Sequence, residues 1–237
     1  MRHCANGIIW WLTLVLAHPS ITAMLGESLL RYNKEVIYVP NDMETEGLNL
    51  YHSRLWQCSW ARCTIEGIIE IKNRYIWWDD LSVSEDAAFV TRFNYDDYKS
   101  RARPAREVLD EYEADLFNTV YRPIGHNVLG YDTMIHQVWR RGCGLKPDYS
   151  YLPRCIDTLA LARAYRKGIK PNISSPEAFL AWQYQMMSIR DKKMKCSQGA
   201  LNKEFNLGYD ESGLHDAFRD ISLNMDVFKQ LIWKVEV

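Results

Sequence analysis

Three short segments carry residue types that could do chemistry together. The first is Asp42-Met43-Glu44-Thr45-Glu46-Gly47. If it ends a strand, Asp42 and Glu44 face the same way, about 7 Å apart along the chain. Two neighbouring carboxylates raise each other's pKa unless a cation sits between them. Hard oxygen donors of this kind suit Mg²⁺ or Mn²⁺. Taken alone, the hexapeptide also reads as a solvated acidic strand end. The second segment is Gly125-His126-Asn127-Val128-Leu129-Gly130-Tyr131-Asp132. It passes from a strand end through a turn into a helix, with Asp132 in the first turn, where a carboxylate complements the helix dipole. Alone, it reads as plain helix capping. The third is Leu214-His215-Asp216-Ala217-Phe218-Arg219-Asp220. Here His215 stands at the start of the last helix. Asp220 lies more than one turn inside it, at the border of an apolar face where a carboxylate needs a partner. Alone, it reads as a half-exposed Asp paired with Arg219.

The elements that must position these groups follow from periodicity and turn chemistry. Glu35 to Glu44, Arg54 to Cys63 and Ile68 to Trp78 read as strands, the last two joined by the hairpin-length link Thr64 to Gly67. Pro40 removes a ladder hydrogen bond, so the first strand is expected to bulge or end there. A helix is expected over Pro104 to Asn118, with Val108, Leu109, Tyr112, Leu116 and Phe117 on one face. Arg122 to Asn127 reads as a short strand. Asp132 to Arg141 reads as a helix with an apolar stripe at Tyr131, Met134, Ile135, Val138 and Trp139. Cys155-Ile156 ends another strand, and Asp157 can cap a helix over Thr158 to Arg166. Ser175-Pro176 opens a helix to about Ile189, and Ser197 opens a short one through Phe205. In the last helix Ala217, Phe218, Ile221, Met225, Phe228 and Ile232 are expected inward. Antiparallel strands followed by alternating strands and helices imply an α/β fold, one mixed sheet with helices on its faces.

The composition is that of a globular domain. The chain has 237 residues, 47% hydrophobic and 25% charged, with a net charge of −1. That excludes disorder for the bulk of the chain and excludes gripping nucleic acid by bulk charge. Any such contact must be local or bridged by metal ions. The six cysteines form no Cys-x-x-Cys pair and are expected to be reduced thiols. Ile8 to Ala17 is an apolar run too short to span a bilayer. Residues 1–30 therefore read as an apolar N-terminal extension or signal-like segment, with Met24 as an alternative start, and residues 31–237 as the working domain. No stable membrane span is expected.

In order and spacing, the three segments resemble the DEDDh branch of the DnaQ-like 3′–5′ exonucleases, of the ribonuclease H-like superfamily. That family's motifs are Asp-x-Glu-Thr-x-Gly, Asn-x(4)-Asp and His-x(4)-Asp. Here they read as Asp42 to Gly47, Asn127 with Asp132, and His215 with Asp220, with gaps of 90 and 88 residues between the successive aspartates Asp42, Asp132 and Asp220. Cys155-Ile156-Asp157-Thr158-Leu159 resembles the family's strand-to-helix segment before its third motif. Pro40 and Asn41 depart from the pattern, since apolar strand residues usually stand there. Gly168 to Lys195 is an insertion relative to shorter members. Its Lys170, Arg190, Lys192, Lys193 and Lys195, with the adjoining Lys167, read either as a solvated loop or as a basic lip for a phosphate backbone.

The resemblance implies a ribonuclease H-like mixed five-stranded sheet flanked by helices. It implies that Asp42, Glu44, Asp132 and Asp220 hold two divalent ions, Mg²⁺ or Mn²⁺, and that His215 is the general base. It implies that Met43, Thr45, Leu48 and Asn127 meet the terminal nucleotide. The activity implied is release of nucleoside 5′-monophosphates from the 3′ end of single-stranded nucleic acid, DNA favoured over RNA. An exoribonuclease, or a catalytically silent nucleic-acid-binding module beside a polymerase, is the alternative. A cytoplasmic enzyme with a polymerase as possible partner is expected. His126 reads as structural, as do Trp77 and Trp78.

Overall fold

The computed structural model describes residues 34–209 and 217–235. The expected extension over 1–30 and the expected base His215 lie outside the described residues. Strands β1 (Tyr38–Thr45), β2 (Leu55–Thr64) and β3 (Gly67–Trp77) form an antiparallel meander. Two short helices follow, α1 (Glu85–Thr91) and α2 (Tyr95–Arg101). Next come β4 (Arg103–Pro104), α3 (Ala105–Leu116), β5 (Arg122–Gly125) and α4 (Asp132–Gly142). Then come β6 (Ile156–Asp157), α5 (Thr158–Lys167), α6 (Pro176–Ser188), α7 (Gln198–Phe205) and α8 (Ala217–Lys234). The sheet order is β4-β3-β2-β1-β5-β6, with β5 parallel to β1 and β6 parallel to β5. The architecture is thus the expected α/β sheet with helices on both faces. It has six strands where five were expected, because Arg103–Pro104 pairs in parallel with Ile76 and Trp77. Among the described residues, no helix is long and apolar enough to cross a membrane.

The strand pleat sorts the core into two layers. Tyr38 and Ala61 face a cluster with α5, α6 and α8, whereas Val39 and Trp60 face a cluster with α3 and α4. Tyr38 meets Phe228 of α8 edge-on, with ring centroids 5.1 Å apart. Position parity then sends Asp42 and Glu44 to the α8 side of the sheet, and Met43 into the opposite core layer.

Several sequence expectations are corrected. β1 runs through Pro40 without a break, keeping one register with β2 from Tyr38↔Cys63 to Glu44↔Gln57. The bulge comes later, between Glu44 and Thr45. The β2–β3 turn is tighter than expected, since Thr64 and Gly67 pair and only Ile65-Glu66 connects them. Met134 and Phe218 point outward, at 38% and 55% exposure. In α4 the expected Ile135, Val138 and Trp139 are buried, joined by Thr133, His136 and Gln137. Helices α1 and α2 were not anticipated, because α1 buries no residue and α2 only Tyr98. Their caps were the available signal: Ser84 and Asn94 accept from Ala87 N and Asp97 N, each ahead of an acidic first turn. All five cysteines among the described residues are free thiols, as expected.

Candidate active site

The bulge after Glu44 ends the regular run of β1 and re-aims Thr45. The Thr45 hydroxyl donates to the Gly47 carbonyl at 2.6 Å and meets the Tyr131 hydroxyl at 2.8 Å. This ties the end of β1 to the start of α4. Asn41 completes the tie, its side-chain amide donating to Asp132 Oδ1 at 3.0 Å. In one dimension Asn41 is a departure from a strand pattern and Tyr131 a stripe residue. Both position the first two motifs against each other, and no local periodicity could reveal it.

Asp157 braces the β5–α4 loop. Fully buried, it caps α5 through Leu159 N and Ala160 N and also accepts from Asn127 N and Leu129 N, all within 3.3 Å. Burial nevertheless pushes its pKa up to about 6 against those four donors. Asn127 sits in the left-handed region at φ 67°, and its carbonyl accepts from Gly130 N and Tyr131 N. Gly125 leaves no room for a side chain, since a Cβ there would stand 2.7 Å from Val128 Cβ. Gly125→Ala is therefore expected to destabilise the protein by about 1–3 kcal/mol, the usual range for overpacking. A urea unfolding midpoint unchanged from the parent would contradict it. Gly130→Ala is the contrast: its Cβ would come closest to the end of the flexible Asn127 side chain, at 2.5 Å, which can swing away.

The carboxylates from the three motifs act on one another. Burial first, then the charge of Asp220, raises Glu44 to about 7. Burial, then the charges of Asp42, Asp157 and Glu44, pushes the Asp132 carboxyl well above the ordinary range. Cys58 lies behind the group; burial first, then Asp132 and Asp42, raises its thiol. Asp42, Glu44, Asp132 and Asp220 thus share one electrostatic neighbourhood, although they come from three separate segments. Among the described residues, no three His, Cys, Asp or Glu side chains stand together closely enough to hold an ion as they are. The donor set still fits a hard divalent ion: all four are oxygen ligands, and they are crowded into a charge that a cation would relieve.

The architecture has counterparts among solved structures. E. coli exonuclease I in complex with a dT13 oligonucleotide superposes with a TM-score of 0.65 at 16% identity, over 84% of this chain and 42% of that one. The fold is ribonuclease H-like. The zinc-bound form of the E. coli exonuclease I–ssDNA complex gives a TM-score of 0.63 at 16% identity, over 81% and 39% of the two chains. The complex of that exonuclease with SSB-Ct gives 0.64 at 14%, over 85% and 42%. This ribonuclease H-like chain thus spans about two-fifths of the length of these structures. No protein-family model and no curated protein matches its sequence.

The remaining candidate residues fall as follows. Met43 is buried in the α3–α4 core layer, so only its backbone is free to meet a ligand. Thr45 is buried behind its two hydroxyl contacts. Leu48 stands out from the loop after β1 at 89% exposure. His126 is structural, as read: Nδ1 lies 3.0 Å from Thr158 Oγ1, and burial lowers its pKa to about 4, leaving the ring neutral. Trp77 stacks on Tyr98, and Trp78 donates to the Leu55 carbonyl at 2.7 Å under the Arg54 guanidinium.

Proposed function

We propose that residues 31–237 form a cytoplasmic, metal-dependent 3′–5′ exonuclease domain that releases nucleoside 5′-monophosphates from single-stranded DNA. The observation that carries this reading is the crowding of Glu44 and Asp132 by the charges of Asp220 and Asp42, from three separate segments of a ribonuclease H-like fold. Single-stranded DNA is favoured because the similar exonuclease I structures are complexes with dT13 and dA16 oligonucleotides.

The four carboxylates would hold two Mg²⁺ or Mn²⁺ ions. Bound there, the ions supply an activated water and charge for the leaving 3′ oxygen. The chain does the rest. The backbone at Met43 and Thr45, the exposed Leu48 side chain and Asn127 would meet the terminal nucleotide. His215 takes the proton from the attacking water, a task suited to a group titrating near neutrality. Asn41 and Tyr131 keep Asp132 in register with β1.

The test is cleavage of 5′-labelled single-stranded DNA and RNA with and without chelator. EDTA is expected to stop shortening of the DNA from its 3′ end, and Mg²⁺ or Mn²⁺ to restore it. Ca²⁺, with its longer and looser bonds, should support little turnover. Full activity in excess chelator overturns the reading, and faster cleavage of RNA would reassign the substrate. The pH dependence has a definite sign. Glu44, raised to about 7, must lose its proton before it binds an ion, so Mg²⁺ affinity is expected to rise as pH climbs through about 7. Calorimetric titration in buffers of differing ionisation enthalpy should find protons released on binding at about pH 6.5 and fewer at about pH 8. Binding without proton release at either pH would contradict this.

A further inference from the structure

The β5–α4 loop that leads into Asp132 also forms one end of a concavity. His126, Asn127, Arg163, Arg190 and Lys192 are among the residues lining about 790 Å³ there. A neighbouring concavity of about 800 Å³ takes in Lys193, Lys195, Lys203 and the start of α7, and the two share Met194 and Ser197. Together they make one continuous track from Asn127 across the segment between α6 and α7.

The charges on this track are unbalanced. Seven cationic side chains and two carboxylates line it. Both carboxylates are engaged: Asp191 pairs with Lys167 and accepts from Lys193 N, while Glu204 pairs with Arg166. The Arg163 guanidinium donates to the Met186 and Met187 carbonyls and so fixes the wall. Arg190, Lys192, Lys193 and Lys195 are exposed, and among the described residues none of them has a salt-bridge partner. Like charges this close in sequence lie within a Debye length and repel. Four such charges in a protein of net charge −1 leave a local field that an external polyanion would satisfy.

The end of the track adjoins the cluster through specific contacts. Asn127 N donates to the buried Asp157, and Thr158 bridges His126 to Asn224, one turn beyond Asp220 on α8. The geometry points to a phosphate-binding track: it holds the single-stranded substrate on the 5′ side of the cleaved linkage, away from the metal ligands. This rests on the nuclease reading and deepens it. The track supplies the local basic charge that overall composition lacks, and it lets the enzyme grip a strand between successive cuts.

The test is the triple variant Arg190→Ala/Lys192→Ala/Lys193→Ala, whose side chains make no hydrogen bond or ion pair among the described residues. Binding of oligonucleotides from about 2 to about 12 nucleotides is followed by fluorescence anisotropy in EDTA, across a salt series. For the longer strands, affinity is expected to fall about tenfold or more at low salt. The slope of log K against log salt should drop by about 2, at about 0.7 per lost phosphate contact. Cleavage of a dinucleotide, which occupies only the Asn127 end of the track, should stay at the parental rate. An unchanged slope and length dependence overturn the proposal. So does an equal loss of binding to a poly-aspartate peptide with no length dependence on DNA, which would assign the surface to an acidic protein segment. If the parent cleaves neither substrate, the nuclease reading fails, and anisotropy of the parent and variant in EDTA still decides the track.

Discussion

Asp132→Asn is expected to lower single-turnover cleavage by about 10²–10⁴-fold, the rate equivalent of losing about 3–5 kcal/mol of metal-borne stabilisation. The substitution keeps the shape of the side chain, and the amide oxygen can still accept from Asn41, so the tie to β1 survives. What it removes is a half-buried carboxylate crowded by Asp42 and Glu44. In EDTA the melting temperature should therefore hold or rise, because relief of repulsion offsets any weakened hydrogen bond. Asp220→Asn should behave alike, through its effect on Glu44. The pairing of lost turnover with retained stability separates a metal ligand from a structural acid. A variant that turns over at the parental rate, or one that is both inactive and strongly destabilised, would remove Asp132 from the site.

Glu113→Ala is expected to cost about 3–5 kcal/mol of folding stability, the range for breaking a buried ion pair from one side. Glu113 on α3 accepts from Arg140 Nη1 and lies 2.8 Å from His136 Nε2, both on α4. The three side chains are nearly buried, at 14%, 12% and 1% exposure. Burial holds the His136 pKa below its ordinary value against the pull of Glu113, so the pair that matters is Arg140–Glu113. Removing the carboxylate leaves the guanidinium with no opposite charge among the described residues, holding only the Lys146 carbonyl and the Phe117 ring, and leaves His136 with only Tyr151 and Gln137 on its other nitrogen. Glu113→Gln keeps an acceptor and should cost less. Urea unfolding of both variants measures the difference. A loss for Glu113→Ala below about 1 kcal/mol would place the pair among solvent-screened surface bridges.

The network matters to the site because α4 carries Asp132 at one end and this anchor along its length. The four carboxylates are half-buried at the end of β1, and their precision depends on helices locked from behind.

Local rules make much of this legible in the sequence alone. Alternation in β1 puts Asp42 and Glu44 on one face, and β1 does run through them. The cap signals at Asp157, Ser175 and Ser197 each mark a helix start in the fold. Such features depend on neighbours within a turn or a strand, so the sequence by itself determines them. Other features depend on residues about 90 positions apart, and only the tertiary structure decides them. Asn41 is a misfit in a strand pattern until Asp132 arrives beside it, and Tyr131 is one more apolar-stripe residue until it meets Thr45. Pro40 breaks no ladder, because the register with β2 holds across it. The two short helices lack a buried stripe, so periodicity has nothing to detect. The lysines before α7 are a charge run in one dimension. Folding bends the segment around Met194 and Ser197 and makes it a track. Sequence dictates which groups are available and which way each faces locally; which distant groups meet, and how far each is buried, follows only when the sheet and its helices close.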